Sequence, residues 1–318
     1  MLNARHPLLN ASSSSGNESS TGALRLEPTA KGLNVRSGEL RLFFFSTDPR
    51  YRTHIHPLHA PGIECPMSRF RPVSHPWQYG VFVGLNHVNG LDFWCSGDAY
   101  YDPAVRGVMR NRELVDVAAD EQGIRFTAVN DWRGPSGAPV LEERQQIHVP
   151  VQNTQVSYVL DWNWELIARY GDVAVDASAY GGLSVRLVGQ PDTRRHLNSE
   201  RQTDAECAEA AARWCCVAQP VDGVGTYTRE TAATYAYAGV ALFDHPANPA
   251  FPNRWRVDGA GMINPCRALS GPWRIPGGES ARARYRLFVF LGLPQYEAIE
   301  QAYRQWAPSP YETNRLDS

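Results

Sequence analysis

The chain lacks most of the short motifs that announce a chemistry. It has neither GxGxxG nor a P-loop, so no glycine-rich turn is available to cradle a dinucleotide or a nucleoside triphosphate. GxSxG is missing, and no cysteine has a recognisable histidine context, so nothing marks a nucleophilic serine or thiol. The six cysteines form no CxxC pair, and the vicinal Cys215-Cys216 suits a zinc site poorly. A chain of 318 residues needs no disulfide staples, and reduced thiols in the cytoplasm are the expectation. No apolar run approaches the ~18 residues of a membrane-spanning helix. A net charge of −2 gives no electrostatic case for nucleic acid or an anionic membrane.

What is present is an ordinary globular composition, 43% hydrophobic and 20% charged, which can build a real core. Residues 1–32 are rich in Ser, Asn and Gly and have no apolar signal segment, so a disordered lead is expected there. From residue 33 the character changes to short β-rich runs. These cover 40–45, 80–85, 112–118, 124–130, 140–149, 155–163, 180–187, 239–243, 259–264 and 283–291. Turn chemistry such as Asp120-Glu121-Gln122-Gly123 and Arg133-Gly134-Pro135-Ser136-Gly137 separates several of them. This spacing predicts an all-β antiparallel sandwich over 33–318, in one domain without repeats or a linker. Pro57 predicts that the strand 52–59 runs at an edge or leaves its sheet. Residues 203–212 have helix-forming composition. The one well-patterned helix is the last, with Tyr296, Ile299, Tyr303 and Trp306 on one face, Pro294 before it and Pro308 after it.

The stretch 73–94 stands out. It reads VSHPWQYGVFVGLNHVNGLDFW, with imidazoles, an indole, a glutamine, a short apolar strand and an Asn-Gly turn. A polar loop feeding a buried strand is how a rigid sheet presents groups to a ligand. His75-Pro76 with Gly80 and the run 88–94 resemble motifs of the bacterial PmoA-like family. So do Tyr180-Gly181-Gly182 with Val185-Arg186, the run 239–248 ending in Asp244-His245-Pro246-Ala247-Asn248, and Asn264-Pro265. The matches run in order from about residue 52 to about residue 291. The family's label, methane oxygenase, misleads, since the membrane copper enzyme of that name spans a bilayer and this chain has no spanning segment. The resemblance implies a β-supersandwich related to galactose mutarotases and, by association with sugar-handling genes, a carbohydrate-like substrate. The chain departs from the family where HPHHRG becomes His75-Pro76-Trp77-Gln78-Tyr79-Gly80, and where an Arg-Pro-Tyr signature becomes Arg52-Thr53-His54. An indole and an amide then stand where bases stood.

Each candidate residue carries a functional and a plain reading. His75 and His245 are the proton-moving candidates, since imidazole titrates near neutrality. Alternatively, Asp244 and His245 tie down the turn that follows them. Trp77, Gln78, Tyr79, His87, Asn89, Arg186 and Asn264 are the substrate-binding candidates. Trp77 would stack on a sugar face, and Arg186 would hold a carboxylate or a hydroxyl pair, unless it is a buried strap between strands. Asp92 is a candidate to orient His75 or His87. Glu142 or Glu143, on opposite faces of one strand, could supply an acid or base, or could belong to a solvated sheet face. His54, His56 and His59, with His75, could hold a divalent transition metal, with His54 and His56 on one strand face; a solvated edge is the plain alternative.

The resulting expectation is a cofactor-independent enzyme acting by histidine acid–base chemistry on a sugar-like or oxygenated small molecule, of epimerase, lyase or hydrolase type. Its pocket is expected from His75, Trp77, Gln78, His87, Arg186 and His245. The alternatives are a non-catalytic carbohydrate-binding module and a metal-dependent oxidoreductase. The expected partner is a small molecule, not nucleic acid or membrane, and a homodimer through a sheet edge is open.

Overall fold

A computed structural model describes residues 23–96, 102–189, 191–221 and 237–308. Its frame is two eight-stranded antiparallel sheets stacked on one another, in agreement with the expected all-β sandwich. Sheet I orders β1 (Leu24–Thr29), β2 (Gly32–Ser37), β3 (Leu40–Ser46), β4 (His54–Leu58), β5 (Val81–Leu85), β11 (Gly181–Arg186), β16 (Met262–Pro265) and β15 (Trp255–Asp258). Sheet II orders β12 (Arg195–Asn198), β13 (Trp214–Pro220), β14 (Tyr237–Asp244), β18 (Ser280–Leu291), β9 (Ser157–Ile167), β8 (Pro139–Pro150), β7 (Gly123–Arg133) and β6 (Val108–Asp120). A two-stranded ribbon of β10 (Val173–Val175) and β17 (Trp273–Ile275) stands apart from both.

Period-2 alternation builds the core. Val81, Val83 and Leu85 of β5 and Leu183 and Val185 of β11 meet Phe126, Ile147, Leu160, Trp162 and Leu287 of sheet II in one apolar cluster. The intervening residues of β5 and β11 point away from sheet II. The helix α1 (Tyr296–Trp306) lays Ile299, Tyr303 and Trp306 on the outer face of sheet II against Trp214, Phe243 and Phe290, as its apolar stripe predicts.

Two expectations need correction and a third is narrowed. Residues 24–32 are not part of a disordered lead: Leu24–Thr29 pairs along its length with Gly32–Ser37, while residues 1–22 lie outside the described residues. Residues 203–212 form only one short 3-10 turn, Asp204–Cys207, because positive-φ Glu209 and a return to β pairing end it. Of the two courses expected for 52–59, the edge is not taken, since β4 lies between β3 and β5, but the strand does part from β5 after Ile55. Pro57 is tolerated there because β4 pairs with β5 only at His54 and Ile55, so by residue 57 the strand has left that neighbour.

Candidate functional site

The outer face of sheet I, turned away from sheet II, carries the candidate site. Across it the registers set His54, Phe82 and Ser184 side by side on β4, β5 and β11. They also set Arg186 beside Met262 and Asp258, and Asn264 beside Arg256, on β11, β16 and β15. The polar members alternate with the core residues Val185, Ile263 and Val257, so one period-2 pattern fills the core and furnishes this face.

A loop roofs the face. Phe70 bridges Tyr79, and the Arg71 amide donates to the Gln78 carbonyl (2.8 Å), closing a turn that holds residues 72–77 at its tip. Both stems are fastened to Arg186: its amide donates to the Gly80 carbonyl (2.8 Å) and its carbonyl accepts from the Arg69 amide (2.9 Å). Gly80 is required there, because its φ is +76° and a Cβ would collide with the Ile55 carbonyl. Gly182, at φ +109°, clears the same kind of space further along β11. A Cβ there would meet the Pro265 carbonyl at 2.9 Å and the Asn264 amide at 3.3 Å.

Four of the six residues expected to line the pocket come together here: His75, Trp77, Gln78 and Arg186. Asn264 and Tyr79 join them. The His75 and Trp77 rings meet edge to face at 5.4 Å, and His75 Nδ1 lies 2.9 Å from the Ser74 hydroxyl. Gln78 Nε2 contacts Met262 Sδ at 3.6 Å, which places its amide over β16. Arg186 faces Asp258 at 3.5 Å, an ion pair too long for a good hydrogen bond. Arg256 lies over the Tyr180 ring at 4.7 Å, and Tyr180 packs on Trp94 at 5.3 Å.

The electrostatics favour a neutral base. Partial burial, and then the nearby Arg186, hold the His75 imidazole below its usual pKa. Asp258 pulls it upward and Arg256 pushes it down again. These influences favour the neutral imidazole, the form able to accept a proton. Around it, buried polar atoms make no hydrogen bond among the described residues: Gln78 Oε1, Ser184 Oγ, Asn264 Oδ1, Arg256 Nε, and Arg186 Nε and Nη1, the last in only the long ion pair with Asp258. Ser184 and Asn264 are 0% exposed, Gln78 2% and Arg186 5%. An unmatched buried polar group costs about 1–3 kcal/mol, so this face holds several groups that a further hydrogen-bond partner would stabilise.

Other candidates lie elsewhere. His245 is not at this face. It sits under α1 with its ring 5.0 Å from Trp306, and its Nδ1 accepts from the Ala247 amide at 3.1 Å. Neighbouring Asp244 takes the Asn253 amide (3.0 Å), Asn253 Nδ2 (2.9 Å) and Asn248 Nδ2 (2.7 Å), so the matched motif is a loop brace. His87 is exposed at a positive-φ turn. Asn89 reaches away to the ribbon, donating to the Asp172 carbonyl (3.1 Å) and accepting from the Ala174 amide (2.7 Å). Asp92 orients no histidine; its Oδ1 accepts from the Trp94 and Cys95 amides (2.7 and 3.1 Å).

His54 and His56 do share a face, and both rings stack on Phe70, at 5.4 and 5.2 Å. They do not converge on a common point with His59. His54 Nδ1 pairs with the Arg52 carbonyl, His56 Nδ1 with the Ser68 hydroxyl and His59 Nδ1 with the Ile63 carbonyl. Among the described residues no three His, Cys, Asp or Glu side chains group to hold a metal ion. Glu142 faces outward but is buried among Arg112, Arg144 and Arg169. Glu143 faces the sandwich interior, where Asn130 Nδ2 and the Trp132 and Trp164 indoles donate to it, and burial raises its carboxyl pKa. Both are satisfied structural acids. The residues missed beforehand are Ser184, Arg256 and Asp258. Their signal was alternation: Ser184 and Arg186 flank Val185 as Arg256 and Asp258 flank Val257.

Over residues 33–304 the chain matches the model of DUF6807, a family of unknown function. The chain belongs to that family. No curated protein matches the chain. The DUF6807 match takes in the roofing loop, β5, β11, β15 and β16, so every residue of the site falls within the family's own span. Among the described residues no helix is long and apolar enough to cross a membrane.

Proposed function

We propose that this DUF6807 member uses the outer face of sheet I to bind a sugar-like, oxygen-rich small molecule, and that His75 moves a proton of that ligand. The observation that carries it is the cluster of buried hydroxyl, amide and guanidinium atoms that lack a hydrogen bond among the described residues, beside an imidazole whose neutral form is favoured. Gln78, Ser184 and Asn264 would pair with hydroxyls, and Trp77 offers an aromatic face for stacking. His75 would take a proton from a carbon next to a carbonyl, and the bonding pair would move onto the carbonyl oxygen, where Arg186 balances the charge. Delivery of a proton to the opposite face of that carbon, with the pair returning from oxygen, completes an epimerisation. Expulsion of a group from the adjacent carbon, which takes the pair with it, completes an elimination.

The resemblance to sugar-handling β-supersandwiches leans the same way by analogy alone. His75→Ala tests the reading. Turnover of a responsive substrate should fall by about 10²-fold or more, while unfolding stays cooperative and ligand affinity changes little. A variant that keeps full turnover removes His75 from the chemistry. A chain that binds ligands but turns over none of them is the binding module.

A further inference from the structure

The charges around the site are unequal. Among the described residues, Arg69 and Arg194 lie in the field of Arg186, and Arg256 acts with Arg186 on His75, against the one carboxylate of Asp258. Arg194 is spent on carbonyls, those of Val188 (3.1 Å), Gly189 and Gly259, none of which neutralises it. Arg256 has an aromatic ring beneath it and no carboxylate within ion-pair distance among the described residues. Arg69 is exposed, its amide tied to the Arg186 carbonyl. The cations feel one another: after burial, the nearby Arg186 is the strongest influence lowering Arg194, to about 10. The arginines on the outer face of sheet II differ, for there Arg112, Arg133 and Arg286 all have carboxylates at 2.7–2.9 Å. Among the described residues, Asp258 is the one carboxylate that pairs with these guanidiniums, and an excess of cation at a partly buried site is costly unless an anion completes it.

Resting on the function proposed above, we infer that the ligand is a sugar acid, whose carboxylate is held by Arg186 and Arg256 while its hydroxyls face Gln78, Ser184 and Asn264. A carboxylate matches the planar guanidinium donors. Paired with the guanidiniums it also acidifies the C–H bond beside it: His75 would take that proton, and the electron pair would move onto the carboxylate oxygens, where the guanidiniums offset the added charge. One added negative charge would leave the site less positive without displacing Asp258 from Arg186.

The test is calorimetric titration of the full chain with matched pairs, D-glucuronate against D-glucose and D-galacturonate against D-galactose. Glucose 6-phosphate and inorganic phosphate serve as other anions. At least one acid should bind ten-fold or more tightly than its neutral parent, and added salt should narrow the gap. Arg256→Gln should bring the ratio close to one with unfolding unchanged. Arg186→Gln should do the same, and if it fails to fold, the half-buried Arg256 decides. Equal binding of acid and parent overturns the sugar-acid inference and leaves the sugar reading standing. Tighter binding of the phosphates than of either acid overturns the carboxylate. No binding by any probe overturns both readings.

Discussion

At the scale of single residues, the contrast between His75 and His245 is instructive. Both precede proline in matched motifs, yet one faces a cluster of polar atoms short of hydrogen bonds and the other is consumed by a loop brace. Asp244 anchors that brace, and burial lifts its carboxyl to about 6 against the donors that would lower it. Asp244→Ala would strand two side-chain amides and one backbone amide, and should cost about 3 kcal/mol or more in chemical denaturation. His245→Ala loses the acceptor for the Ala247 amide and the ring contact with Trp306, and should cost about 1–2 kcal/mol with ligand binding intact. A His245→Ala variant that folds normally but binds no ligand would put His245 back at the site. The motif was legible in the sequence; its purpose was not, because Asp-His-Pro-Ala-Asn can equally frame a catalytic turn or fasten one.

Among the elements, α1 shows how a legible pattern can hide its strongest contact. The apolar stripe announced which face is buried, but Glu300 lies on that face too. It accepts from the Trp214 indole (2.8 Å), from Arg213 Nη1 (3.0 Å) and from Arg304 Nε (2.8 Å). Glu300→Ala should lower stability by about 2–3 kcal/mol and weaken the near-ultraviolet signal of the cluster of Trp214, Tyr303 and Trp306. Arg304→Ala removes an arm that is 73% exposed and should cost under about 1 kcal/mol. Equal losses from the two would mean that surface charge rather than the buried carboxylate seats the helix. In β11 the reverse held. Leu183 and Val185 advertised a core strand, and the Ser184 and Arg186 between them were the informative residues.

For the whole molecule, acidity is the condition that should loosen the fold. Burial drives His54 and His56 each from 6.5 to about 4, so between those values the unfolded chain takes protons that the folded chain refuses. Stability is therefore full above pH 6.5 and drains as pH falls toward 4, by on the order of 3 kcal/mol per histidine. Asp244 opposes part of this. Its raised carboxyl adds stability below about 3.8 that is lost as pH rises through about 6, so it offsets roughly one of the two histidines. Denaturant midpoints should fall between pH 7 and pH 4.5, and His56→Gln should flatten the slope. A midpoint unmoved across that range would mean these rings are open to protons in the folded state.

The sequence by itself determined what is local. Alternating apolar residues specify strands, the 3.6-residue stripe specifies α1, and Gly80 marks a loop that only glycine can close. The site needed more. Ser184 and Arg186 meet Asn264, Arg256 and Asp258 because β11, β16 and β15 lie side by side, with all of β12, β13 and β14 between them in the chain. Backbone hydrogen bonds are the same for every residue pair, so strand order carries no local sequence code. Only burial of both sheets in one core selects the neighbours, and with them the side chains that face a ligand together.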